Sequence, residues 1–187
     1  MNIEMIRVGE LKTNCYIVSD KDEAIVIDPG MDTGIIIENI TGLKLKAIVL
    51  THGHYDHVTE AFLLKEKTKA PIMIHEEDEP MMVFTTNLRA TKLLHEDNLI
   101  NVGNQEFTVI HTPGHSRGSI CLYNKKEGIL FSGDTLFYGT YGRVDLPGGS
   151  KDDMEISLKK LQKLPPETVV YPGHGIKTTI GDEKELI

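Results

Sequence analysis

Four side chains able to hold a metal ion crowd into one stretch of this 187-residue chain: His52, His54, Asp56 and His57, within Thr51-His52-Gly53-His54-Tyr55-Asp56-His57. Three more stand far off in sequence: His115 behind Pro113-Gly114, Asp134 behind Ser132-Gly133, and His174 behind Pro172-Gly173. Neutral imidazole and carboxylate both suit borderline divalent ions such as Zn²⁺. Along an extended segment, residues i and i+2 face the same way, so His52 and His54 can share one ion. Asp56 and His57 lie where the chain turns into a helix and can point toward a second ion. Gly53 removes a side chain that would crowd the ion, and Gly114 and Gly173 allow close approaches. With a histidine from each distant loop, two cations could be held about 3.5–4 Å apart. Such a pair needs a negative bridge, and Asp134 fits that role. The other three histidines lack this company. His75 is expected to border a helix start and His95 to be exposed, while His111 is left open: its nearness to His115 makes support of a ligand from behind one candidate role.

These residues need a scaffold that gathers distant loops, and the patterning supplies one. Strands are expected over 14–18 and 23–28, joined by a polar turn into an antiparallel hairpin, and over 45–50 and 71–74. Further strands are expected over 107–110, 119–123, 129–132 and 168–171. Helices are expected over 33–41, through Val58, Ala61, Phe62 and Leu64, and over 153–164, where Met154, Leu158, Leu161 and Leu164 form one stripe. The stretch 76–97 carries the weakest pattern, with a helix near 78–83. Strands alternating with helices imply sheets covered by helices, and the second half repeats the theme, so two sheet units pack together. The seven candidate ligands follow strand ends, where open α/β sheets place their ligand sites.

Composition narrows the function. Lys and Arg number 20 against 28 Asp and Glu, a formal charge of -8, which argues against nucleic acid as a partner. Hydrophobic residues make up 40 %, enough for a substantial core. No apolar run reaches the length needed to cross a membrane, and no secretory signal is visible, so no membrane partner and a cytoplasmic location are expected. Cys15 and Cys121 are too few for a cysteine-rich metal site and read as buried, reduced thiols.

The segment His52-Gly53-His54-Tyr55-Asp56-His57 matches the HxHxDH signature of the metallo-β-lactamase superfamily. The runs Thr112-Pro113-Gly114-His115-Ser116-Arg117-Gly118, Gly133-Asp134-Thr135-Leu136-Phe137 and Tyr171-Pro172-Gly173-His174-Gly175 complete the set in order. Within the superfamily the chain most resembles the glyoxalase II group, the hydroxyacylglutathione hydrolase-like enzymes that cleave S-acyl glutathione thioesters. The resemblance implies an α/β fold: a four-layer αβ/βα sandwich of two mixed sheets packed face to face, with helices outside, in one domain over 1–187. It places one metal on His52, His54 and His115 and another on Asp56, His57 and His174. Asp134 would bridge them together with a hydroxide that attacks the thioester carbonyl, with Asp56 also orienting the nucleophile. Two divalent ions are implied, zinc first, with iron or manganese accepted by the same ligands. Among substrate contacts, Arg143 would meet an anionic group, or else pair with Asp145, and Tyr138 and Tyr141 would line the pocket or pack the loop.

The match has departures. The C-terminal helical domain that supplies glutathione contacts in glyoxalase II is not expected here, and Gly175-Ile176-Lys177 stands where the family has a Tyr. Two alternatives follow. One is a glutathione persulfide dioxygenase, with one iron on His52, His115 and Asp134. The other is a non-catalytic binding module of the same fold, against which all seven ligand residues stand. A lactamase is disfavoured by the short chain and by Asp134, where Cys is common. An RNA-processing role is disfavoured by the negative charge.

Overall fold

The sequence Glu-Ala-Ile-Val-Ile at 23–27 places four buried apolar residues in a row, the pattern of a strand covered on both faces. The computed structural model describes residues 1–186. Its first half contains β1 (Asn2–Val8), β2 (Thr13–Asp20), β3 (Glu23–Ile27), α1 (Thr33–Asn39), β4 (Lys44–Val49), α2 (Tyr55–Val58), α3 (Ala61–Thr68), β5 (Ile72–His75), α4 (Glu79–Thr86) and β6 (Lys92–Leu94). Its second half contains β7 (Leu99–Val102), β8 (Gln105–His111), β9 (Ile120–Asn124), β10 (Ile129–Gly133), β11 (Leu136–Phe137), β12 (Thr140–Tyr141), α5 (Lys151–Leu161), β13 (Val169–Pro172) and β14 (Thr178–Thr179).

Six strands form one mixed sheet in sequence order from β1 to β6; β1, β2 and β3 are antiparallel, and β3 to β6 run parallel. The second sheet has the order β14-β13-β10-β9-β8-β7, with β10 and β13 parallel. Alternation along each strand separates two faces. On β2, β3 and β4, Tyr16, Val18, Ile25, Ile27, Ala47 and Val49 face the second sheet, meeting residues such as Phe107, Leu122 and Phe131 in the central core. Cys15, Ile17, Val26 and Ile48 face the other way, under α1, α3 and α4. On the far side of the second sheet, Met154, Leu158 and Leu161 of α5 close the fourth layer. Burying such a row of apolar side chains stabilises each helix by roughly 1.5–3 kcal/mol per large residue. Ser150 caps α5 by accepting from Asp153 N; Asp152 and Asp153 in its first turn and Lys159 and Lys160 in its last complement the helix dipole. The architecture is the expected four-layer sandwich of two mixed sheets with helices outside.

Several elements differ in detail. Strands β1, β6 and β7 join where no strand was expected, and α4 runs past 83 to Thr86. The single helix expected after His57 is two, α2 and α3, divided at Thr59 and Glu60. The break has a cause: Glu60 N donates to Gly30 O at 3.1 Å, and Glu60 Oε2 accepts from both N and Oγ1 of Thr33 at the start of α1. A continuous helix would turn Glu60 away from those partners. Cys15 and Cys121 are free and buried, and burial pushes both thiols up, Cys121 to about 11. Among the described residues no helix is long and apolar enough to cross a membrane.

Candidate metal centre

The seven candidate ligands come from five places, all near strand ends of the two sheets. The loop after β4 carries His52 and His54, and α2 carries Asp56 and His57. His115 follows β8, Asp134 follows β10, and His174 follows β13. The structure brings all seven together. Among them, His52, His54 and His115 form one group, Asp56, His57 and His174 another, and His52, His57 and Asp134 a third that links them; within each group the ligand atoms lie within 4.8 Å of one another. Asp134 stands between: Oδ2 is 3.5 Å from His115 Nε2 and 3.6 Å from His174 Nε2, while Oδ1 is 3.6 Å from His57 Nε2.

Hydrogen bonds behind these side chains decide which nitrogen each ring presents. Asp28, buried at the end of β3, accepts from His57 Nδ1 at 2.9 Å and from Thr51 Oγ1 at 2.7 Å on one oxygen, and from Thr51 N at 2.7 Å on the other. Since Thr51 Oγ1 gives its proton to Asp28, it accepts from His52 Nδ1 at 3.1 Å. His115 Nδ1 donates to Arg143 O at 2.8 Å. Each of the three rings therefore turns Nε2 toward the others. His54 completes its group with Nδ1, 2.8 Å from His115 Nε2.

The arrangement leaves buried polar atoms that no protein group satisfies. His52 Nε2, His57 Nε2 and Asp134 Oδ1 are buried without a hydrogen-bond partner. Such orphans are uncommon because each one costs free energy. Three of them converging, two imidazole nitrogens and one carboxylate oxygen, are the ligand types that hold a borderline divalent ion. The residues present fit a metal pair.

Electrostatics follow the same division. Burial lowers the affinity of His52 and His54 for a proton, and neighbouring histidines lower it further. Burial also opposes protonation of His57, yet the carboxylates of Asp134 and Asp28 overcome it and hold His57 above the usual imidazole range. For His174, burial is outweighed by Asp56 and Asp134. Burial would raise Asp56, but the His174 and His57 imidazoles beside it and a hydrogen bond from Thr13 keep it well below the carboxylate range.

Two acids that sequence reasoning passed over hold the frame. Asp28 is the first. Asp78, buried before α4, is the second: it accepts from Gly53 N at 2.7 Å, Ser116 Oγ at 2.6 Å and Gly118 N at 2.6 Å. It thus ties the His52 loop to the His115 loop. The available signal was position, since Asp28 sits at a strand end before Pro29-Gly30. Asp78 had none, lying among Glu76, Glu77 and Glu79. Gly53 also needs a different account. A Cβ there would come within 2.8 Å of Asp78 O and 2.9 Å of Met81 Cβ, so the entry to α4, not the ion, requires glycine. At Gly173 the expected close approach is present: a Cβ would lie 2.2 Å from Asp134 Oδ1.

The centre opens into a pocket of about 760 Å³. His54, Asp56, His115, Asp134 and His174 form its floor, and Leu11, Met81, Phe84, Leu146 and Pro147 give it apolar walls. Phe84 is 92 % exposed at the rim. Arg143 lines the pocket, but its guanidinium makes two 2.8 Å contacts with the Asp145 carboxylate. Tyr138 borders a separate shallow groove beside His174 and Ile176. Tyr141 does not line the pocket; it packs against the α5 core, the loop-packing alternative.

Comparison with known proteins gives a consistent context. A family model described as the Metallo-beta-lactamase superfamily matches residues 8–174. An uncharacterised protein of Aquifex aeolicus is 40 % identical, covering 98 % of this chain and 94 % of its own. The hydroxyacylglutathione hydrolase GloC of Haemophilus influenzae is 32 % identical over 98 % of this chain and 95 % of its own. Among solved structures, the BLEG-1 B3 metallo-beta-lactamase superposes with a TM-score of 0.92 at 34 % identity, over 98 % of this chain and 97 % of its own. TTHA1623 in a di-iron-bound form gives 0.87 at 36 % identity, over 97 % and 96 %. ETHE1 from Myxococcus xanthus gives 0.85 at 28 % identity, over 98 % and 82 %.

Proposed function

Because this chain belongs to the metallo-beta-lactamase superfamily, we propose that it is a cytoplasmic, metal-dependent hydrolase of small thioesters, with S-acyl glutathione as the leading substrate class. The observation that carries the metal part of the reading is the convergence of His52 Nε2, His57 Nε2 and Asp134 Oδ1, all buried and unpartnered. The likeness to GloC supports the thioester part. His52, His54 and His115 would hold one ion and Asp56, His57 and His174 the other, with Asp134 shared. Zinc is the ion proposed; the di-iron form of TTHA1623 makes iron the arm to compare. Such a pair supplies a water nucleophile at neutral pH and polarises a carbonyl.

The chain's own groups do the rest. Asp28 and Arg143 O fix the ring orientations of His57 and His115, so no reorientation is needed during the reaction. Thr13 Oγ1 holds Asp56 Oδ2 at 2.7 Å and so fixes that carboxylate. The apolar walls of Leu11, Met81 and Leu146 exclude water around a thioester and accept its hydrocarbon parts. Arg143 stands where it can meet a carboxylate on the thiol half.

A second reading is a persulfide dioxygenase with one iron on His52, His115 and Asp134. The likeness to ETHE1 supports it. Metal analysis of protein purified without added metal separates the two, run beside assays of S-lactoylglutathione hydrolysis, persulfide-dependent oxygen uptake and cephalosporin hydrolysis. About two metals per chain with thioester turnover is the expected result. One iron with oxygen uptake, or turnover of the cephalosporin alone, overturns the thioester proposal. Asp134→Ala should reduce thioester turnover to background, and unchanged turnover with unchanged metal content would refute the assigned centre.

A further inference from the structure

Three histidines remain outside the centre, and the fold gathers them. His75 ends β5, His111 ends β8, and His95 follows β6. The His75 and His111 rings stack at 4.0 Å between centroids, and the His95 ring lies 6.2 Å from that of His75. Glu77, in the turn after β5, brings its Oε2 to 3.8 Å from His111 Nε2. The ligand atoms of His75, Glu77 and His111 all lie within 4.8 Å of one another.

We propose that His75, Glu77 and His111 form a second metal site, separate from the seven-residue centre, that takes a late first-row divalent ion such as Zn²⁺ or Cu²⁺. Two imidazoles and one carboxylate are the ligand set such ions prefer, and three protein ligands leave positions for water. The rings can supply lone pairs. His111 Nε2, the nitrogen that faces Glu77, donates to Arg117 O at 2.8 Å, a bond that an ion at this nitrogen would replace once the ring carries its proton on Nδ1. His75 Nδ1 accepts from Glu77 N at only 3.3 Å, a long contact that an ion can displace. Surrounding charge favours a cation. Glu76 lies 3.1 Å from His95 Nδ1, and Glu96 accepts from His111 N, while Lys160 reaches His111 O and Glu96 as the one basic side chain these contacts include.

The placement gives the ion a structural role. His75 belongs to the first sheet and His111 to the second, so an ion between them clamps the two sheets at their ends. The same corner holds the His115 loop, because Arg117 O is bound to His111.

The test uses holoprotein with its main centre already loaded. Equilibrium dialysis against Zn²⁺ should give one ion more per chain for the native protein than for the double variant Glu77→Gln, His111→Ala. Equal stoichiometry in the folded variant would overturn the proposal. Chemical modification of histidine in the native protein gives an independent readout. Zn²⁺ added beyond loading of the main centre should protect His111, whose side chain is 24 % exposed. An unchanged modification rate at His111 would also overturn the site. The same dialysis on Asp134→Ala separates this proposal from the main centre, since the extra ion should persist there.

Discussion

The Asp28 carboxylate and the His57 imidazole meet at 2.9 Å, both fully buried, and through Thr51 the same carboxylate also orients His52. One acid thus sets the tautomer of a histidine in each of the two ligand groups. Asp28→Asn replaces an obligate acceptor by an amide that can turn its NH₂ toward His57. The expected result is a loss of metal affinity of about 10–100-fold, with the fold kept. Chelator competition on the purified variant measures it, and native affinity would show that the tautomers are set elsewhere.

Asp78 is a tether between loops. Removing it leaves Gly53 N and Gly118 N short of an acceptor in a buried setting, while Ser116 Oγ keeps only Ser119 Oγ. Asp78→Ala is expected to cost about 3 kcal/mol or more. In a chain of this size that lowers the melting temperature by roughly 6–12 °C. Thermal unfolding of chelator-treated protein isolates the loop effect from any change in metal loading.

Arg143 and Asp145 form an exposed pair, and pairs in water are weak, so a substrate carboxylate can compete for the guanidinium. Arg143→Ala should raise KM for an anionic thioester several-fold with kcat little changed. Asp145→Asn should lower KM by freeing the guanidinium. Opposite shifts in the two variants identify Arg143 as a substrate contact. Parallel shifts identify the pair as a loop brace.

Acid stability offers a separate check on His75. Its folded pKa of about 4 lies below the ordinary imidazole value near 6.5. Between those two values the unfolded chain binds the proton more readily, so this group's contribution is present above about pH 6.5 and lost as pH falls toward 4. Metal-free protein should therefore lose stability on going from pH 7 to pH 5 more steeply than His75→Gln. Denaturant unfolding at both pH values gives the comparison, and equal slopes would mean that His75 takes up its proton as readily in the fold as in the unfolded chain.

These residues also show what the sequence could and could not disclose. The core strands and α5 were legible because their apolar period matches their burial on both faces of the sheets. The seven candidate ligands were legible because unusual residue types recur after strand ends. Strand β1 was passed over although Ile3, Met5 and Ile6 lie in it, since an edge strand half open to water carries a weak pattern. The division of α2 from α3 depends on Glu60 reaching Thr33, a contact set by tertiary packing that no local period records. Asp78 was illegible for the same reason: only the fold distinguishes it from the acids beside it.

The bonds from Asn14 and Tyr16 to the last ligand loop have a consequence for how the protein is made. Asn14 Nδ2 and Tyr16 Oη both donate to Pro172 O, and Asn14 N donates to Gly173 O. The beginning of the chain is therefore fastened beside His174. A nascent chain can pair β1 to β6 early, but the site must stay open on one side until residue 174 has left the ribosome. Ion loading thus waits for the last ligand loop, and before it the half-built cluster of imidazoles is exposed to whatever ion the cell offers first.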